Sequence, residues 1–250
     1  MTGPASAKIL AVPAVSVAGF ARNFIRTAVC ELRFPTLLEL DAVVPAFQRQ
    51  IRREYPHYER NTDVNLDPSG VTSSPAHLFR SKDRRWVLSL RQSALVFETS
   101  SYTGFPKFAE ALTAVLRAAL PVLDTDFYTR LGMRYINVLD FATHKLSLET
   151  LSDWINPMLA GPLSSGALGD VDQAGHEYRG RTEEGVFILK HGLVRDGARM
   201  GYALDLDFAV EDLEVDKAIE VLARLHQREF DLFVWCLGPR AVQWLEGRSV

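Results

Sequence analysis

The chain has little of what small structural frameworks are made from. Its 250 residues include two cysteines, Cys30 and Cys236, each inside an apolar run. Unpaired thiols in such runs pack as small hydrophobes. A disulfide scaffold or a zinc site needs more cysteines, or histidines at ligand spacing. The six histidines include no H-x-H and no i, i+4 pair. The nucleophile elbow G-x-S-x-G, the glycine-rich phosphate loop and the dinucleotide fingerprint G-x-G-x-x-G are missing as well. No metal and no cofactor is therefore expected, and no catalytic residue can be assigned.

Long hydrophobic runs are also lacking. The stretch around "ILAVPAVSVAGF" is broken early by Pro13 and is too short to cross a bilayer as a helix. The reading is no membrane span, with the cytoplasm as the compartment. Nor does one sign of charge dominate: 28 basic against 31 acidic residues leave a net −3. That balance provides no field to draw a nucleic-acid backbone, so no nucleic acid is expected as a partner. The basic clusters "RQIRREY" and "SKDRRW" read as a solvated helix face and a hairpin turn.

What is present is alternation and helical spacing, in a repeated order. Residues 28–34, "AVCELRF", alternate as a strand. "TLLELDAVVPAFQRQIRREY" has helical spacing that Pro45 should divide or kink. "NTDVNLDPSGVTSS" reads as a loop. "AHLFRS", "RWVLSLRQ" and "ALVFETSS" follow as a meander of hairpins, and "GFPKFAEALTAVLRAALPVL" as a helix. A strand from about Arg130 to Phe141 closes the first half. "SLETLSDWINPML" then reads as a helix capped by Ser147, and "AGPLSSGALG" as a connection. Three further strands come next, the last two joined at "RDGAR", where Asp-Gly marks a hairpin turn. A long amphipathic helix from "VDKAIEV" and a short one from Pro239 close the chain.

The expected class is α+β: mostly antiparallel sheet with helices packed on one face, a helix–three strands–helix pattern occurring twice. Residues 1–22 are expected to form a flexible or strand-adding arm. Residues 23–250 are expected to form one compact domain of two similar halves, about 23–141 and 142–250.

The candidate residues are polar groups set into apolar strands. In "RLGMRYINVLD", Arg134 and Asn137 are an odd number of positions apart and so lie on opposite faces. A charge on a covered face needs a partner. Glu31, Glu98, Asp205 and Asp207 are the carboxylates available to Arg134. Asp205 and Asp207 in "LDLDF" share one face, a spacing that suits a hard cation, a split of acid and base roles, or simply the polar side of an amphipathic strand. His226 lies on or beside the apolar stripe of the last long helix. Arg134, Asn137, Asp205, Asp207 and His226 form the candidate ligand-binding set.

The runs "IRTAVCELRF", "RLGMRYIN", "YALDLDF" and "LHQREFDLF", in this order, resemble a sporadically distributed family of prokaryotic proteins of about this length, whose function is not established. "RYIN" and "LDLDF" are its most diagnostic pieces, and the resemblance runs from about residue 23 onward. It implies an accessory role, such as defence or a biosynthetic cluster, and assigns no chemistry. Taken together, the expectation is a non-catalytic binding or accessory protein with a protein or peptide partner, and self-association through the N-terminal arm as one possibility. Against it stand an enzyme or small-molecule binder with a pocket near Arg134, Asn137, Asp205 and Asp207, and a component of a defence or toxin–antitoxin pair.

Overall fold

A computed structural model describes residues 8–16, 19–67 and 70–249. The first half runs β1 (Ile25–Arg33), α1 (Leu40–Ile51), β2 (His57–Asp67), β3 (Gly70–Arg80), β4 (Trp86–Arg91), β5 (Ala94–Thr99) and α2 (Phe105–Leu123). The second runs β6 (Phe127–Asp140), α3 (Phe141–His144), α4 (Leu151–Trp154), α5 (Pro157–Ser164), β7 (Ala174–Arg181), β8 (Val186–Asp196), β9 (Arg199–Glu214), α6 (Ala218–Trp235) and α7 (Pro239–Leu245). The class is α+β, with one nine-stranded antiparallel sheet in the order β2-β3-β4-β5-β1-β6-β9-β8-β7. In both halves the first strand lies beside the last strand of its own meander: β1 beside β5, β6 beside β9.

The repeat is unequal, which corrects the expected pattern. The first half has four meander strands and the second three. The extra strand comes from the segment read as a loop: His57–Asp67 pairs with Gly70–Arg80 from His57↔Arg80 to Asp67↔Gly70. Tyr58 to Thr62 are all exposed, so this part of the outer strand buries no apolar face of its own for a sequence reading to find.

Two helical readings change as well. Helix α1 runs through Pro45 without a break. Pro45 lies near the start of the helix on its exposed side, where a carbonyl left without a helical partner is open to solvent. The helix expected after Ser147 is two short ones, α4 and α5. Between them Ile155 is extended and bridges to Leu237, and Asn156 caps the Met158 N–H with Pro157 in the first turn. Helix α5 takes up much of the segment read as a connection.

By internal contacts the chain forms two compact units. One comprises Thr27–Met133 and Val210–Ala223, the other Met1–Arg26, Arg134–Ala209 and Arg224–Val250. In the first, register lines up Phe79, Leu88, Phe97 and Cys30 on one face of the strands. Both helices pack on that face, α1 through Phe47 against Phe79 (5.6 Å) and α2 through Phe108 against Phe97 (5.1 Å). Desolvation there pushes the Cys30 thiol far up, leaving it protonated and unreactive.

In the second unit, Tyr202, Leu204, Leu206 and Phe208 of β9 and Tyr135, Asn137 and Leu139 of β6 are buried on one face. Helix α6 covers β6 there through His226 and Glu229. The arm crosses the outer side of this helix. Val15 N–H donates to Asp231 Oδ1 (3.0 Å), Arg228 Nη2 donates to Leu10 O (3.1 Å), and Phe20 packs on Phe230. The described arm residues, 8–16 and 19–22, form no strand. The candidate residues all belong to this unit.

Candidate functional site

Arg134 projects from the face of β6 opposite the buried Tyr135, Asn137 and Leu139. Its Nε donates to Asp205 Oδ1 at 2.7 Å and its Nη2 to Oδ2 at 2.6 Å, a two-pronged pair. The pair is half-open, with the arginine side chain 43% exposed and the aspartate 16%. Hydrogen bonding to Asp205, outweighing the cost of desolvation, raises the affinity of the guanidinium for its proton. Asp205 is thus the carboxylate that answers Arg134. Glu31, in the other unit, bonds Arg130 and Arg33 instead.

This pair is the end of a longer row. Asp205 is in register with Lys190 of β8, and Lys190 with Glu177 of β7. Lys190 Nζ lies 3.4 Å from Glu177 Oε2. Across four strands the charges alternate: Arg134, Asp205, Lys190, Glu177. The Glu177 carboxyl is held below its ordinary range, first by the Arg179 guanidinium bonded to it and further by Lys190. Asp207 lies on the same face, in register with Ile188, and its charge adds to the field on Arg134.

Beside the row runs a shallow trough of about 420 Å³, bounded by Lys190, Glu177 and Asp205 on one side and Val194 on the other. Its floor is made of residues with little or no side chain, Ala203, Gly192 and Gly175, in direct register. Gly192 has φ +150°, and a Cβ there would sit 2.1 Å from Ala174 O. At Gly192 the floor is therefore small by steric necessity.

Asn137 and His226 belong to the opposite, covered face. Asn137 is buried and donates through Nδ2 to Leu204 O at 3.3 Å. His226 Nδ1 lies 3.0 Å from the Tyr135 hydroxyl. Desolvation pushes its pKa down to about 4, so the ring is neutral. The candidate set is thus divided. Arg134, Asp205 and Asp207 lie on the open face, whereas Asn137 and His226 lie beneath the sheet and do not meet them.

Two polar features escape a reading of the sequence. Glu229, fully buried, accepts the Tyr135 backbone N–H at Oε1 (3.1 Å), while its Oε2 has no hydrogen-bond partner among the described residues. Burial drives its pKa well up, and the neighbouring Asp207 and Asp205 charges push the same way, so the group is a neutral acid. Its signal lay in the spacing: Glu229 shares the apolar stripe of Leu222, Leu225 and Leu232. The second feature is a stack of rings, His176 on His191 (5.1 Å) and Tyr178 on His191 (5.6 Å). His191 Nδ1 lies 2.6 Å from Tyr202 Oη, and burial, helped by His176, lowers its pKa to about 4. Only strand register could have placed these rings together.

Among the described residues, no group of three or more His, Cys, Asp or Glu stands close enough to hold a metal ion. Likewise no helix is long and apolar enough to cross a membrane.

The outer edge of β7 completes the site. Residues 175–179 are exposed on both faces of the strand, and β7 ends the sheet. Thr182 N–H donates to Gly185 O (2.8 Å) at the hairpin, so residues of even number in β7 bond to β8. The N–H and C=O groups of Gly175, Glu177, Arg179 and Arg181 therefore point outward. Arg181 O is occupied: it accepts from Leu10 N–H at 2.8 Å.

No protein-family model and no curated protein matches the chain.

Proposed function

We propose that the protein is a non-catalytic binding module that engages an extended segment of a protein partner along the outer edge of β7. The observation that carries this is the bond from Leu10 to Arg181: another stretch of chain, outside any strand, already takes up one outward carbonyl of that edge. The next outward groups, on Glu177 and Arg179, have no backbone partner among the described residues. Strand addition uses such groups for affinity and the flanking side chains for specificity. The ion row supports the same reading from the other side. A guanidinium held by a carboxylate in a two-pronged pair is poorly placed to act as acid, base or anion clamp, but it ties β6 to β9, three and two strands in from the edge.

The test is capture of partners from a native extract by three immobilised proteins: the wild type, Arg179→Ala and Arg179→Pro. Proline removes one outward N–H and leaves the bonds to β8 alone. A partner retained by the wild type and by Arg179→Ala but lost by Arg179→Pro supports strand addition. Three identical sets of captured proteins sink it. Deleting residues 1–22 should strengthen capture, because Arg181 O is then released.

A second reading rests on the trough. Its volume lies in the range of small-molecule sites, and one wall is charged. A small polar ligand there would protect Lys190 from amine-reactive labelling, and Gly175→Leu would abolish that protection.

A further inference from the structure

We infer that the strand recruited by β7 is β7 of a second copy of this chain. The inference rests on the strand-addition reading and names its partner. The outward groups belong to the odd-numbered residues, so in an antiparallel pair related by a twofold axis odd residues must face odd residues. Five registers then centre on the exposed residues 175–179, and the two centred on Gly175 and His176 pair at most five residues of β7 and bring no opposite charges together. One centred on Glu177 sets Glu177 against its own copy, and one centred on Arg179 sets Arg179 against its own copy. Both place like charges directly opposite, which is unfavourable.

The register centred on Tyr178 places Glu177 opposite Arg179 of the second copy, and Arg179 opposite its Glu177. Both pairs carry opposite charges and also exchange backbone hydrogen bonds. Tyr178, 49% exposed, meets its own copy on the axis. His176 falls opposite Gly180, which has no side chain to obstruct it, since the Phe187 ring fills the space where a Cβ would stand. The ladder ends naturally at Arg181, whose carbonyl is already bonded to Leu10. The sequence "GHEYRGR" is therefore self-complementary in one register. It lacks the proline or inward lysine that commonly guards an exposed edge.

A contact this short gives a weak dimer, with a dissociation constant on the order of 10–100 µM. Sedimentation velocity of the full chain from low to several hundred micromolar should show a concentration-dependent shift from monomer to dimer. Glu177→Arg and Arg179→Glu should each weaken it by roughly tenfold or more, and the two together should restore it. Tyr178→Cys gives a second readout, which survives if a charge variant folds poorly. Facing cysteines on the axis should form an intermolecular disulfide under mild oxidation, whereas Arg181→Cys, facing Gly175 of the second copy, should not. The native thiols do not compete, because Cys30 and Cys236 are buried.

A wild type that stays monomeric, with Tyr178→Cys unable to cross-link, overturns the second copy as partner. The partner-capture comparison with Arg179→Pro then decides strand addition by itself. A dimer indifferent to both charge reversals, or not rescued by the double swap, overturns this interface.

Discussion

Tyr135, in the middle of a strand, gives its backbone N–H to the buried carboxyl of Glu229 on the helix beneath it, at 3.1 Å. One oxygen of that carboxyl is satisfied and the other is not, so the site favours the neutral acid.

Glu229 should therefore make the protein less stable as pH rises. Its folded pKa is raised above the ordinary 4.5, so the native state holds a proton that the unfolded chain releases from about pH 4.5 upward. Stability from this group is intact below that pH and is lost progressively up to the folded pKa. Glu229→Gln keeps an acceptor for Tyr135 and cannot ionise. The unfolding free energy of Glu229→Gln minus that of the wild type should grow between pH 4.5 and 8 in urea titrations. A difference that stays flat with pH would show that Glu229 is ionised in the fold.

His191 and His226 should act in the opposite direction. Both have pKa values lowered from 6.5 to about 4, so the unfolded chain binds protons that the folded one refuses. Their contribution is complete above pH 6.5 and is lost as pH falls toward 4. In the background of Glu229→Gln, urea midpoints should fall over that window. Adding His191→Gln or His226→Gln should flatten the fall. Ring-proton titration by NMR checks the same point, and a midpoint near 6.5 for either histidine would contradict it.

The two-pronged contact of Arg134 and Asp205 should be worth about 1 kcal/mol of coupling in a double-mutant cycle. The value is modest because the arginine side chain is 43% exposed, and solvent screens the pair. Arg134→Ala, Asp205→Ala and the double variant, compared by urea unfolding, give the coupling directly. Additive effects would mean that the pair is incidental to register.

Gly192 and Gly175, neighbours in the trough floor, should respond differently to one added methyl group. Gly192→Ala places a Cβ at 2.1 Å from a backbone oxygen in a conformation that L-residues avoid. It should cost about 2 kcal/mol or more. At Gly175 a Cβ meets nothing within 4 Å, and Gly175→Ala should stay within about 0.5 kcal/mol of wild type. Equal thermal midpoints for the two variants would refute the steric account of the floor.

The sequence by itself settled which side of a strand each residue takes. Alternation separated Arg134 from Asn137 and put Asp205 and Asp207 together, and the Asp196-Gly197 pair marked the turn. The sequence located α2 and α6 through their apolar stripes. These are local properties, readable over a few residues because side-chain direction repeats with a period of two or 3.6. Where burial is one-sided the signal is clear. It fades in β2, whose described side chains from Tyr58 to Thr62 are exposed, and in α5, a short helix interrupted by Gly161 and Pro162 and set by the Asn156 cap.

Tertiary structure alone decided what lies beside what. Arg134, Asp205, Lys190 and Glu177 come from four strands, and their alternation exists only once register is fixed. Register depends on pairing between segments far apart in the chain, and on glycines that permit the strands to approach. The same holds for Glu229: its place on a helical stripe is local, whereas the strand N–H that it meets is not. Periodicity belongs to a segment, but a site belongs to the pairing of segments, and that is why the faces were legible and the row was not.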